Sequence, residues 1–358
     1  MADSELYTSR EALRNHLMQG HVIPAHPLAL TAERKLDAQH QRALTRYYVA
    51  AGAGGMAVGV HTTQFAIRER KLYMPVLELA SLTADEALAQ APRPFVKIAG
   101  ICGQTDQAIR EAITARALGY DVGLVSLSEW ECEALPDDLV NHCKRISKVI
   151  PIMGFYLQAA VGGCNLPYRF WRRLTEEVED LVAIKIAPFN RYQTLDVVRA
   201  VLESGRTDIA LYTGNDDNIV ADLLTEYTFP VDGKPRSQRI VGGLLGHWAM
   251  DTRCAVELLQ AVKYNIASSM IDPFLLARGV EITDANAAYF DAAHNFRGCL
   301  PGIHTVLKSQ FMMEGTWCLD PRQRLSQYQQ EEILRVRNAY PHLIDDAFIN
   351  EHRDEWLK

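Results

Sequence analysis

The 358-residue chain has no Cys-x-x-Cys pair, no block of five or six like charges and no stretch of about 18 consecutive apolar residues. Each absence closes off a class. Without a long apolar run no membrane helix is expected, and the opening MADSELYTSREALRNHL, charged throughout, has no apolar signal core. A formal net charge of −7, with no basic cluster, removes the electrostatic basis for binding nucleic acid or an anionic membrane. The seven cysteines (Cys102, Cys132, Cys143, Cys164, Cys254, Cys299 and Cys318) are scattered and odd in number, which does not suggest a disulfide framework. The expectation is a cytoplasmic protein acting on small neutral or anionic metabolites.

What the sequence does contain is alternation. Short apolar runs recur: HVIPAHP (21–27), GMAVGVHTT (55–63), PFVKIAGI (94–101), DVGLVSL (121–127), PIMGFYL (151–157), LVAIKIA (181–187), DIALYTG (208–214) and RIVGGLLG (239–246). Between them lie stretches such as QAIREAITARALG and YRFWRRLTEEVEDL, whose apolar positions return at helical spacing. Eight such repeats over about 250 residues predict an α/β fold, a (β/α)8 TIM barrel, with a doubly wound sheet as the alternative. GAGGMA (52–57) has the form G-x-G-x-x-A, but it follows a helical pattern and precedes a strand, the reverse of a dinucleotide site. It reads as a helix cap and turn. Residues 1–20 are expected to form an N-terminal helical extension, 21–263 the barrel, and 264–358 a helical region. No low-complexity linker precedes that last region, so it should pack on the barrel.

One residue is out of place in this pattern. Lys185 stands in the apolar run LVAIKIA, where alternation puts it on one face with Ala183 and Ala187, and Val182, Ile184 and Ile186 on the other. With the bulky face on the helices, the lysine would lie in the barrel lumen, near the strand end where barrel active sites are built. Burial disfavours an ammonium and leaves a nucleophilic amine able to form a Schiff base with a carbonyl. A lysine that snorkels from the strand end, or is held by a buried carboxylate, would look the same in sequence. Lys97 comes early in its own run, toward the other end of the barrel, and reads as structural.

Imine chemistry needs a weak acid to shuttle protons. Tyr156 ends the preceding strand, on one face with Ile152 and Gly154, although a tyrosine there can equally be packing. Thr62 and Thr63 follow the second strand; they can bind a carboxylate or simply cap a strand as β-formers.

The order and spacing of HTTQ (61–64), GFYLQAAVGG (154–163), VAIKIA (182–187), TGNDD (213–217) and GIHTVLKSQF (302–311) resemble the dihydrodipicolinate synthase and N-acetylneuraminate lyase family, the pyruvate-dependent class I aldolases. The resemblance covers residues 21–335, and the chain looks like a divergent member. It implies a barrel with a helical C-terminal region, Lys185 as the imine-forming residue, and Tyr156 with Thr62 as proton relay. Thr63 would hold the carboxylate of pyruvate or another 2-oxo acid, and Gly214 would let the chain approach the substrate closely. An aldehyde is the implied second substrate and a homo-oligomer, dimer or tetramer, the implied assembly. No cofactor and no metal enters the scheme.

The departures are specific. His61 precedes the threonine pair and Gln64-Phe65 follow it, where the family usually has GTTGE. Val161 stands where the synthase carries a carboxylate-binding arginine, and Trp130 or Glu131 where it has an intersubunit tyrosine. These changes point away from lysine biosynthesis, toward an uncharged, bulky aldehyde met by Phe65, Trp130, Phe189 and Trp248. Dehydration of a hydroxylated 2-oxo acid on the same imine is an alternative, as is a non-catalytic barrel that binds a 2-oxo acid. A metal-dependent aldolase is disfavoured because His21, His26 and His61 show no ligand spacing. A phosphosugar site is disfavoured because the carboxylates of GNDD would repel phosphate.

Overall fold

A computed structural model of the protein describes residues 9–130 and 136–358; Glu131 and Cys132 lie outside the described residues. The strands are β1 (Val22–Pro24), β2 (Gly55–Val58), β3 (Val96–Ile101), β4 (Val122–Val125), β5 (Ile152–Leu157), β6 (Leu181–Ala187), β7 (Ala210–Thr213), β8 (Glu226–Val231) and β9 (Lys234–Leu245). The helices are α1 (Arg10–Met18), α2 (Ala38–Ala50), α3 (Tyr73–Gln90), α4 (Thr105–Ala117), α5 (Pro136–Ser147), α6 (Tyr168–Glu177) and α7 (Arg191–Ser204). They continue with α8 (Ile219–Leu224), α9 (Thr252–Ala267), α10 (Pro273–Tyr289), α11 (Cys299–Ser309), α12 (Gln329–Ala339) and α13 (Asp346–Trp356). Eight parallel strands alternating with helices make this a (β/α)8 barrel with a C-terminal helical part, the fold class the alternation predicts.

The chain divides into two compact units, residues 1–21 with 96–244, and 22–95 with 245–358. In the first, β3, β4, β5, β6, β7 and β9 lie side by side in parallel. Every residue of β3 to β7 is buried, which is why these strands read as unbroken apolar runs rather than as alternation. Helix α1, N-capped by Ser9, lies under the starts of β6 and β7, where Arg14 donates to the carbonyl oxygens of Leu181 (3.0 Å) and Glu179 (2.6 Å) and pairs with Asp208.

The sequence reading takes RIVGGLLG as a simple eighth strand. The structure instead has a long β9 whose first half pairs antiparallel with β8. Asp232 and Gly233 join them, both with positive φ (51° and 74°), as a two-residue type I′ turn requires. The cue was VDGK. A Cβ on Gly233 would meet nothing within 4 Å, so only backbone strain opposes Gly233→Ala. That variant should lower stability by about 1 kcal/mol, measured by urea denaturation, with no change in any activity.

In the second unit β1 and β2 run parallel, with the His26 N–H donating to Ala57 O at 2.8 Å. The second strand ends at Val58, not at Thr63, because Gly59 takes a left-handed φ of 78° and the chain turns into a short 3-10 helix, His61–Thr63. The C-terminal helices close on α2 and α9. Tyr47 of α2 packs its ring 5.5 Å from that of Trp356 and donates from its hydroxyl to Asp345 at 2.6 Å. Asp345 in turn accepts from the N–H groups of Arg253 (2.6 Å) and Cys254 (2.9 Å) at the start of α9. Asp251, the residue that begins α9, does not cap it. Its carboxylate accepts instead from Gln310, Arg337 and the N–H of Asp345.

Candidate active site

Lys185 is the fifth residue of β6, pairing in register with Phe155 of β5 and Tyr212 of β7. Paired residues on neighbouring strands project to the same side, so these three share a face. A Cβ on Gly154, one residue out of phase, would lie 3.2 Å from Trp171 and 3.4 Å from Leu174 of α6. The Gly154 face therefore meets the helices, and the lysine face is the inner one. Lys185 is 8% exposed and its Nζ lies 4.5 Å from the centre of the Phe155 ring. Burial pulls its amine down to about 8, against the opposing pull of the Asp216 carboxylate, which favours the ammonium. Roughly a tenth of the amine is then neutral at pH 7.

Gly214 stands beside this lysine. A Cβ there would come within 2.6 Å of Lys185 Cε and 2.7 Å of Ala187 Cβ, so the glycine makes room for the lysine side chain itself. Tyr156 is elsewhere. It pairs with Ile186, on the face opposite Lys185, and its ring lies 5.4 Å from that of Trp171. Its hydroxyl donates to Asn165 Oδ1 at 3.0 Å and accepts from the Leu166 N–H at 3.2 Å, and burial pushes the phenol up to about 12. The lysine and tyrosine thus occupy adjacent strands on opposite faces.

Thr62 and Thr63 belong to the second unit, buried in the turn after β2. The Thr62 hydroxyl donates to Ala25 O (2.8 Å) and that of Thr63 to His26 O (2.7 Å), while the Gly59 N–H donates to Thr63 Oγ1. Both tie the turn to the end of β1. His26 is equally structural. It bonds Thr45 Oγ1 at 2.8 Å, and burial holds its ring down to about 4, so it is neutral. Among the described residues no group of three or more His, Cys, Asp or Glu side chains could hold a metal ion. No helix among them is long and apolar enough to cross a membrane.

The family model described as "Dihydrodipicolinate synthetase family" matches residues 18–226, a span that includes both β5 and β6. The chain belongs to that family. No curated protein sequence matches it. Among solved structures similar to this chain is the chloride-inhibited dihydrodipicolinate synthase from Acinetobacter baumannii complexed with pyruvate, with a TM-score of 0.71 at 16% identity, covering 90% of this chain and 98% of that one. The dihydrodipicolinate synthase from Aquifex aeolicus gives 0.68 at 18% identity, covering 91% and 99%. YagE, a prophage protein of the dihydrodipicolinic acid synthase family from E. coli K12 in complex with pyruvate, gives 0.67 at 15% identity, covering 90% and 98%. At such identities the likeness is one of fold.

For this member of the family, sequence reasoning missed the device behind the lysine. Asp222 of α8, fully buried, accepts from Thr213 Oγ1 (2.7 Å), Asn215 Nδ2 (2.9 Å), Asn218 Nδ2 (2.9 Å), the Tyr227 hydroxyl (3.2 Å) and Arg191 Nη1. These bonds set the TGNDD segment that follows β7. The acceptor count of one carboxylate is not written in a motif, and only the density of Asn, Asp and Thr from 213 to 222 hinted at it. Arg191, at the start of α7, is committed to Asp222 and Tyr227. Val161, at that arginine's position, ends a short 3-10 turn, Ala159–Val161. Trp248 is fully buried in the turn His247–Ala249 of the second unit.

Proposed function

We propose that the protein is a class I lyase that makes or cleaves a carbon–carbon bond at C3 of pyruvate or another 2-oxo acid through an imine on Lys185. The observation that carries this reading is the buried amine itself, near the C-terminal end of β6, drawn down to about 8 by burial. An amine so poised attacks a ketone near neutral pH. Family membership supports it, since relatives of the same fold are described with pyruvate bound. Lys185 Nζ adds to C2 and water leaves, giving the imine; loss of a C3 proton gives an enamine, whose C3 attacks the aldehyde carbon. Hydrolysis of the product imine returns the amine. The aldehyde is uncharged, because the synthase arginine is replaced by Val161 and Arg191 is already paired.

Incubation with pyruvate and borohydride tests this directly, because reduction of the imine leaves a permanent adduct. Intact mass should show one adduct per chain, and peptide mapping should place it on Lys185. Adduct on Lys97, which is buried near the start of β3, would move the site. No adduct from any 2-oxo acid would overturn the imine reading.

A further inference from the structure

We propose that the second unit carries a binding site for a small monocarboxylate with an apolar body, held by Arg278 in the cavity between α9, α10 and the turn Pro341–Leu343. Within α9, Ala255, Leu258 and Ala261 recur at steps of three, which puts them on one face, and Leu275, Arg278 and Ile282 of α10 recur at steps of three and four. These two faces and Leu343 line a cavity of about 210 Å³. Leu275 and Ile282 are buried, whereas Phe274, also in the lining, is 58% exposed, so the cavity opens to solvent on that side. Lys185 belongs to the first unit and takes no part.

The cation in this apolar setting is Arg278. Its side chain is 16% exposed, and its guanidinium lies over the Phe274 ring, 4.9 Å from the centre. Nε faces Glu281 Oε2 at 3.3 Å, and that carboxylate is shared with His342 Nε2 at 2.8 Å. Among the described residues neither Nη group makes a hydrogen bond. The ring fixes the plane of the fork, and the Nη edge can take both oxygens of a carboxylate, a geometry that lysine does not offer. Charge argues against a larger anion. Asp251 and Glu257 line the same cavity, already paired with Arg337 and Arg253, and Glu281 beside the guanidinium cancels part of its charge. One carboxylate charge can be matched there, while a phosphate dianion would be left in excess. The apolar walls suit a hydrocarbon body, and the volume, below the roughly 300–1,000 Å³ of a drug-sized ligand's site, limits it to a molecule the size of phenylacetate.

Titration calorimetry of the full chain with phenylacetate and with hexanoate tests the site. Saturable binding of one molecule per chain is expected, with a rise in Tm that grows with ligand concentration. Phenylacetamide, the same body without the charge, should bind about 10- to 100-fold more weakly, and Arg278→Met should lose about as much affinity for phenylacetate, the range of a hydrogen-bonded contact to a charged group. Arg278→Lys should fall between, because it keeps the charge and loses the fork. Lys185→Met should bind as the parent does. Binding of neither carboxylate, or unchanged affinity in Arg278→Met, would overturn the proposal. So would loss of affinity in Lys185→Met, which would move the carboxylate to the lysine, or inorganic phosphate binding as tightly as phenylacetate. Should Arg278→Met fold poorly by circular dichroism, Ala261→Phe decides: it fills the cavity from α9 and should abolish binding, and parental affinity there sinks the site.

Discussion

Lys185→Met is expected to give a protein that resists urea better than the parent at pH 7 and has no lyase turnover. A residue kept for structure would show the opposite of the first effect. The amine is held at about 8 by burial, against an ordinary value of 10.5, so below pH 8 the folded state carries an ammonium in a place that disfavours it. The difference of 2.5 pH units corresponds to roughly 3 kcal/mol of destabilisation that methionine, of similar length, removes. Asp216 offsets part of this gain, because its charge no longer has the lysine ammonium to act on. The pH dependence fixes the origin of the effect. Between about 8 and 10.5 the unfolded chain holds a proton that the folded one has released, so the parent gains stability as pH rises through that window. The advantage of Lys185→Met should therefore be greatest at neutral pH and shrink above pH 8. Equal advantage at pH 7 and pH 10 would mean that packing, not charge, is responsible. On the proposed imine chemistry turnover is lost, because a thioether cannot form an imine.

Asp222→Ala should be strongly destabilising. The carboxylate is the shared acceptor of Thr213, Asn215, Asn218, Tyr227 and Arg191, and Thr213 and Asn215 are themselves buried. Leaving two such donors unsatisfied costs about 1–3 kcal/mol each. Arg191 contributes less, because its side chain is 43% exposed and water replaces its partner. A loss on the order of 3 kcal/mol is expected in urea denaturation, because these buried donors lose their acceptor. A loss below about 0.5 kcal/mol, the range of an ordinary surface change, would contradict the network.

How much of this was legible in the sequence follows from where the information lies. The barrel was legible because eight buried strands leave eight apolar runs, and the lysine because it is the one cation in LVAIKIA. The face of Tyr156 was not. Alternation correctly groups Gly154 with Tyr156, but β5 is apolar on both sides, so only the packing of Gly154 against Trp171 and Leu174 of α6 tells which side meets the helices. The threonine turn was hidden because VGVHTT reads as continuous strand, and the break at Gly59 is a backbone angle rather than a composition. VDGK, by contrast, was a readable hairpin cue that the apolar-run reading passed over.

The start of α9 carries a consequence for the order of events in synthesis. Its first free N–H groups are met by a carboxylate 91 and 92 residues further along the chain, while the aspartate at its own N-terminus faces away. Until residue 345 has left the ribosome, those donors have only water. The first unit, whose last residue is Leu244, has by then been fully synthesised. The lysine strand is thus made about 160 residues before the segment that closes the start of α9.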